Sequence, residues 1–138
     1  MAFDQIARNL PVLLCALFVA ILFLQSGLDK VIDWKGNLSW LTGHFSKTFL
    51  AGTVPIMLVI ITLMEMATGV LSAAGIIYFL AVGSLGLVFV AAVLGAMSLT
   101  ALFFGQRVAK DYPGAAVLVP YFLLLIVMIF LSNPYSRP

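Results

Sequence analysis

Long apolar runs alternate with short polar stretches along the chain, and the lengths of those runs predict its elements. They extend from about Leu10 to Leu28, Val54 to Ala74, Ile77 to Phe103 and Ala115 to Leu131. A hydrocarbon core about 30 Å thick takes roughly 20 mainly apolar residues in a helix, because lipid satisfies no backbone hydrogen bonds and the helix must do so internally. The expected fold is therefore all-α: a single transmembrane domain over residues 1–138, built as an integral membrane bundle of four transmembrane helices. Ser72-Ala73-Ala74-Gly75 carries no charge, but its small residues suit a tight helix exit, so a hairpin is expected there. A re-entrant segment is the alternative. The third run is longer than a span requires, which predicts tilting, a bend near Gly86 or Gly95, or extension beyond the lipid.

The longest polar stretch, Asp29 to Gly52, holds both tryptophans. Trp34, Leu38, Leu41 and Phe45 recur at three- or four-residue spacing, while Lys35, Asn37, Ser39 and Thr42 fall largely elsewhere. This pattern predicts an amphipathic interfacial helix between the first and second spans, anchored by indole rings at headgroup depth. The first apolar run is expected to be retained rather than cleaved, since Arg8 is the sole cation before it and no small-residue cleavage site follows.

Composition narrows the function classes. Of 138 residues, 64% are hydrophobic and 9% charged, against roughly a quarter charged in soluble domains. Water would leave a protein of this size with extensive exposed apolar surface, so the lipid bilayer is the expected partner. A net charge of +2, with seven Lys and Arg thinly spread, offers no basic stripe for nucleic acid. Cys15 is the only cysteine and His44 the only histidine. That leaves no internal disulfide, no metal site on paired thiolates and no bis-histidine haem within one chain. Lys30, Lys35, Lys47, Arg107 and Lys110 lie in the first and third loops, against Arg8 and Arg137 on the other face, which predicts both termini outside the cytoplasm.

Glu65 is the sharpest candidate for chemistry, being the one formally charged side chain near the middle of a span. Burying it costs at least about 2–3 kcal/mol, so such residues face a protein interior and are functional candidates. Two states are open to it: a neutral acid donating its proton, or a carboxylate paired with a cation. Thr62, Thr68, Gly69 and Ser72 share its helical face and offer hydroxyl neighbours and close helix approach. A second constellation leaves the first span, where Gln25, Asp29 and Asp33 line one face and Lys30 can pair with Ser26 or Asp33. A third precedes the last span, where Arg107 and Asp111 can pair at four-residue spacing near Lys110. Strict alternation of spans puts these two clusters on one membrane face above Glu65, a possible composite ligand site. Ala91 with Gly95, and Ala92 with Ala96, form small-xxx-small pairs for packing within the bundle or between protomers.

With Gln25-Ser26-Gly27-Leu28-Asp29-Lys30 closing the first span, Glu65 and Gly69 inside the second and a polar loop before the last, the chain resembles the DoxX-like family. The resemblance covers most of the chain and carries over Gly27, Lys30, Glu65 and Gly69. It implies a small four-helix protein of the bacterial inner membrane, with some relatives linked to quinone-dependent oxidation of sulfur compounds. The leading expectation is a non-catalytic or accessory subunit of a membrane assembly, with other membrane subunits or further copies of itself as partners. One alternative is a quinone-interacting oxidoreductase subunit in which Lys30, Glu65 and Arg107 hold a quinone headgroup or small anion and Glu65 moves the proton. A small-solute carrier, working as an oligomer, is the other.

Overall fold

The computed structural model describes residues 3–135, and among these it is helical, without strands. After a short α1 (Phe3–Arg8) come α2 (Leu10–Ile32), α3 (Trp34–His44), a 3-10 turn at Ala51–Thr53, α4 (Val54–Val82), α5 (Gly86–Val108) and α6 (Tyr112–Ser132). Four of these, α2, α4, α5 and α6, are long and apolar enough to cross a membrane, and they mark the chain as a multi-pass membrane protein. Each of α2, α4 and α6 carries a proline in its first turn, where the missing N–H costs nothing and the fixed φ favours helix entry. Arg137, one of the residues behind the expected orientation, lies outside the described residues.

The hairpin expected at Ser72–Gly75 is not there. α4 runs unbroken through those residues for 29 positions, about 44 Å at the usual helical rise, so α4 rather than the third span is the longest of the four and the one that most exceeds the lipid thickness. The small residues serve packing instead. Ser72 donates its hydroxyl to the Ala16 carbonyl across to α2 at 2.6 Å, and a Cβ on Gly75 would sit 2.8 Å from the Val88 backbone nitrogen of α5. The chain turns later, at Gly83, whose φ of 79° is left-handed and whose N–H closes the helix on Phe79 O. That conformation favours glycine. α5 then starts at Gly86, and Gly95 lies inside it, facing Thr68 and Leu125.

The four long helices pack α2 on α4, α4 on α5 and α5 on α6, and α2 also touches α6. Their shared interior holds Val19, Phe23, Phe79, Val88, Leu125 and Met128. Ala91, Ala92, Gly95 and Ala96 are all buried within the chain, so these small residues bring α5 close to its own neighbours. Cys15 packs half-buried against the same interior. The outward surfaces of the long helices carry exposed Leu, Ile, Val and Phe, the pattern of helices solvated by lipid.

α3 lies across the end where α2 finishes and α4 begins, in contact with both. Asp33 ends α2 and caps α3, its carboxylate accepting from Gly36 N at 3.3 Å. The face expected to be apolar is the covered one: Trp34, Leu38 and Leu41 are half-buried and Phe45 is buried, while Lys35, Ser39 and Thr42 are exposed.

Candidate functional site: a buried ion pair beneath a helical cap

Glu65 faces the interior from the middle of α4, and Lys30 reaches it from the last turn of α2. The Lys30 ammonium lies 3.0 Å from Glu65 Oε1 and 3.3 Å from Oε2, and it donates to Ser26 Oγ at 3.0 Å. Its hydrogen bond to the carboxylate is aligned on Oε2. Oε1 is close enough for charge attraction but receives no hydrogen bond. The Glu65 side chain is 1% exposed and that of Lys30 18%. The pair is thus closed on the Glu65 side and open only along the lysine stem. Two glycines bring the helices close enough for this contact: a Cβ on Gly27 would collide with Met66, and one on Gly69 with Leu24.

The other hydroxyls of this face do not serve Glu65. Thr62 and Thr68 donate to the carbonyls of Leu58 and Met64 within α4, and Ser72 donates to α2. Such back-bonding satisfies a buried hydroxyl at the expense of its neighbours. Ser98 of α5 is the exception: it is fully buried and its Oγ has no partner. α4 and α5 run antiparallel with Gly75 against Val88 and Gly95 against Thr68. Stepping three residues further along each helix sets Ser98 level with Glu65. The Ser98 hydroxyl, without a hydrogen-bond partner, and the Lys30–Glu65 ion pair therefore share one buried layer.

Beside this layer, under α3, is a cavity of about 130 Å³. Trp40 and Phe45 line it on the capping side, Met57 and Ile61 on α4, and Ala101 and Leu102 on α5, with Lys30 among its walls. The cap is latched to the end of α5 by His44. Its Nε2 lies 2.8 Å from Gln106 Oε1, within hydrogen-bond distance. Trp40 stacks on the imidazole at 4.5 Å between ring centres, and Asp111 Oδ2 lies 3.8 Å from Nε2. Neither His44 nor Gln106 stood out as a site residue in the sequence; a lone histidine four residues after a tryptophan was the one available signal.

The remaining sequence candidates do not converge on the pair. Gln25, Asp29 and Asp33 are exposed, and Asp33 is occupied as a helix cap. Lys30 takes Ser26 and Glu65 as partners rather than Asp33. Arg107 does not pair with Asp111: α5 ends at Val108, Lys110 adopts a φ of 59°, and the guanidinium lies over the Tyr112 ring at 4.5 Å. Arg107 is not among the residues lining the cavity, so a pocket made by Lys30, Glu65 and Arg107 together is not assembled. Lys110 is exposed. Asp111 instead caps α6, its Oδ1 accepting from Gly114 N at 2.9 Å. Asp111→Ala is expected to lower unfolding stability by about 1 kcal/mol, the usual cost of a lost N-cap. Denaturation in mixed micelles measures this, and Asp111→Asn, which keeps a capping oxygen, should recover most of the loss.

Comparison of the chain with protein-family models, with curated proteins and with solved structures finds no match.

Proposed function

We propose that this protein is an accessory subunit of a bacterial inner-membrane assembly, of the respiratory or other quinone-linked kind that the DoxX-like resemblance implies. In this reading the four long helices form a transmembrane bundle, and α3 lies at the membrane surface as its cap. The observation that carries the proposal is the Lys30–Glu65 pair. The most conspicuous reactive group of the chain is already neutralised by an internal cation, in a contact that ties α2 to α4. A carboxylate held in this way serves helix association more readily than turnover.

The uneven covering of the spans supports a partner. In the most apolar stretch of α6, 17% of residues are buried, against 33% in each of α2, α4 and α5. α6 thus offers the largest free apolar face to a neighbouring membrane protein. Affinity purification in a mild detergent, from membranes holding the chain at native abundance, is expected to recover at least one other membrane protein in stoichiometric amount. Recovery of this chain alone, with cross-linking in intact membranes also giving no heterologous product, would overturn the proposal.

A further inference from the structure

We infer that the groove between α5 and α6 holds one acyl chain of an anionic phospholipid, whose phosphate is bound by Arg107 with Lys110 beside it. The groove measures about 490 Å³, within the usual size of ligand pockets. Leu99, Thr100 and Phe103 of α5 line it, opposite Leu118, Phe122 and Ile126 of α6. Its wall offers no hydrogen bond, since Thr100, the one polar side chain there, donates to the Ala96 carbonyl at 2.8 Å. A hydrocarbon chain suits such a surface and a polar solute does not.

Positive charge lies at one end of the groove. Arg107 follows Phe103 by four residues in the same helix, so it stands on the same face, about 6 Å nearer the end of α5. Its guanidinium lies over the ring of Tyr112, at the start of α6, and so spans the mouth where the two helices meet. The ring covers one face of the guanidinium and leaves N–H edges open, the groups that receive phosphate oxygens. Arg107 and Lys110 are exposed, and neither has a carboxylate partner: among the described residues the ion pairs are Lys30–Glu65 and His44–Asp111. A phospholipid supplies both an anion for these cations and a chain for the groove beneath them. A second copy of the chain fits less well, because a twofold contact about the membrane normal sets Arg107 and Lys110 against their own equivalents. Val117, Val127 and Phe130 of α6 lie outside the groove and are exposed, so they stay available to the subunit proposed above.

The test is native mass spectrometry of the full chain released from detergent micelles. It is titrated with dioleoyl phosphatidylglycerol or dioleoyl phosphatidylcholine, which carry the same chains under an anionic and a zwitterionic headgroup. Phosphatidylglycerol is expected to bind at least fivefold more tightly. Arg107→Gln should cut that preference at least threefold, whereas Arg8→Gln, which removes an exposed cation before the first span, should leave it unchanged. Val119→Trp, which puts an indole into the groove from an exposed position on α6, should weaken both lipids at least tenfold while circular dichroism stays the same. Arg107→Gln decides the headgroup even where Val119→Trp does not fold. Equal affinities for the two lipids overturn the inference, as does an Arg8→Gln loss as large as that of Arg107→Gln, or undiminished binding to folded Val119→Trp. A dimer, or a complex with another protein, that forms with the parent chain and is lost in folded Val119→Trp assigns the groove to a protein and overturns it too.

Discussion

Lys30→Met is expected to lower unfolding stability by about 3–5 kcal/mol, the usual cost of stranding one member of a buried ion pair. Glu65→Met should cost less, about 1–2 kcal/mol, because the charge left behind is partly solvated and retains other contacts. The asymmetry follows from the geometry. Without Lys30, the Glu65 carboxylate is 1% exposed and has no other polar partner. Without Glu65, the ammonium still donates to Ser26 Oγ, is 18% exposed, and sits in the last turn of α2, from where its stem can extend toward the end of the span. The double replacement Lys30→Met with Glu65→Met removes both charges and substitutes side chains of similar length. It should lie within about 1 kcal/mol of the parent protein, as apolar replacements of buried pairs commonly do. Unfolding of all four proteins in mixed micelles gives the cycle, and a coupling energy below about 0.5 kcal/mol would show that the two charges act independently. The same double variant bears on function. An accessory role predicts that it retains its membrane partners; a role for Glu65 in moving protons predicts that it assembles but no longer supports turnover.

The parts of this arrangement that could be read in advance differ in kind from those that could not. Four spans and an inward-facing Glu65 follow from solvent physics, since a run of about 20 apolar residues has one stable form in lipid and a lone charge within it has few places to go. The apolar face of α3 follows from helical spacing. Lys30 could be singled out as an unusual cation at the end of a span, yet its partner is 35 residues away in sequence, and nothing local announces that contact. The hairpin was misplaced for a physical reason: small residues in a membrane helix signal close packing as readily as a turn. Ser72 and Gly75 do the first, whereas Gly83-Ser84-Leu85 makes the turn with no charge to mark it. Arg107 and Asp111 failed as a pair because their spacing assumes a continuous helix, and the chain leaves that path at Lys110. The His44–Gln106 latch joins residues 62 positions apart and becomes visible only once α3 is folded over the end of α5.

Of the two glycines in the α2–α4 seam, Gly69 is the one where alanine is expected to be more damaging, at about 1–3 kcal/mol, the range for forcing an extra methyl into a packed interior. The added Cβ would lie 2.7 Å from Leu24 Cγ and 2.9 Å from the Leu24 backbone nitrogen. A side chain can rotate away from such a contact; a helix backbone can give way only if α2 and α4 separate, and that separation stretches Lys30 from Glu65 one turn away. Gly27→Ala meets chiefly the Met66 thioether, with Sδ at 2.5 Å and Cγ at 2.8 Å, and the Met66 backbone nitrogen is farther off at 3.4 Å. Methionine has three rotatable bonds with which to adapt, so this change should cost less than Gly69→Ala. Gly105→Ala is the control. Its Cβ finds only Phe45 Cζ at 3.4 Å and Cε1 at 3.8 Å, ordinary contact that leaves the gain in helix propensity, up to about 1 kcal/mol, unopposed. The expected order of stability is therefore Gly105→Ala above Gly27→Ala above Gly69→Ala. If Gly69→Ala unfolded at the same denaturant concentration as Gly105→Ala, the tight α2–α4 approach would not be what holds Lys30 against Glu65, and the ion pair would have to form without the support of that packed seam.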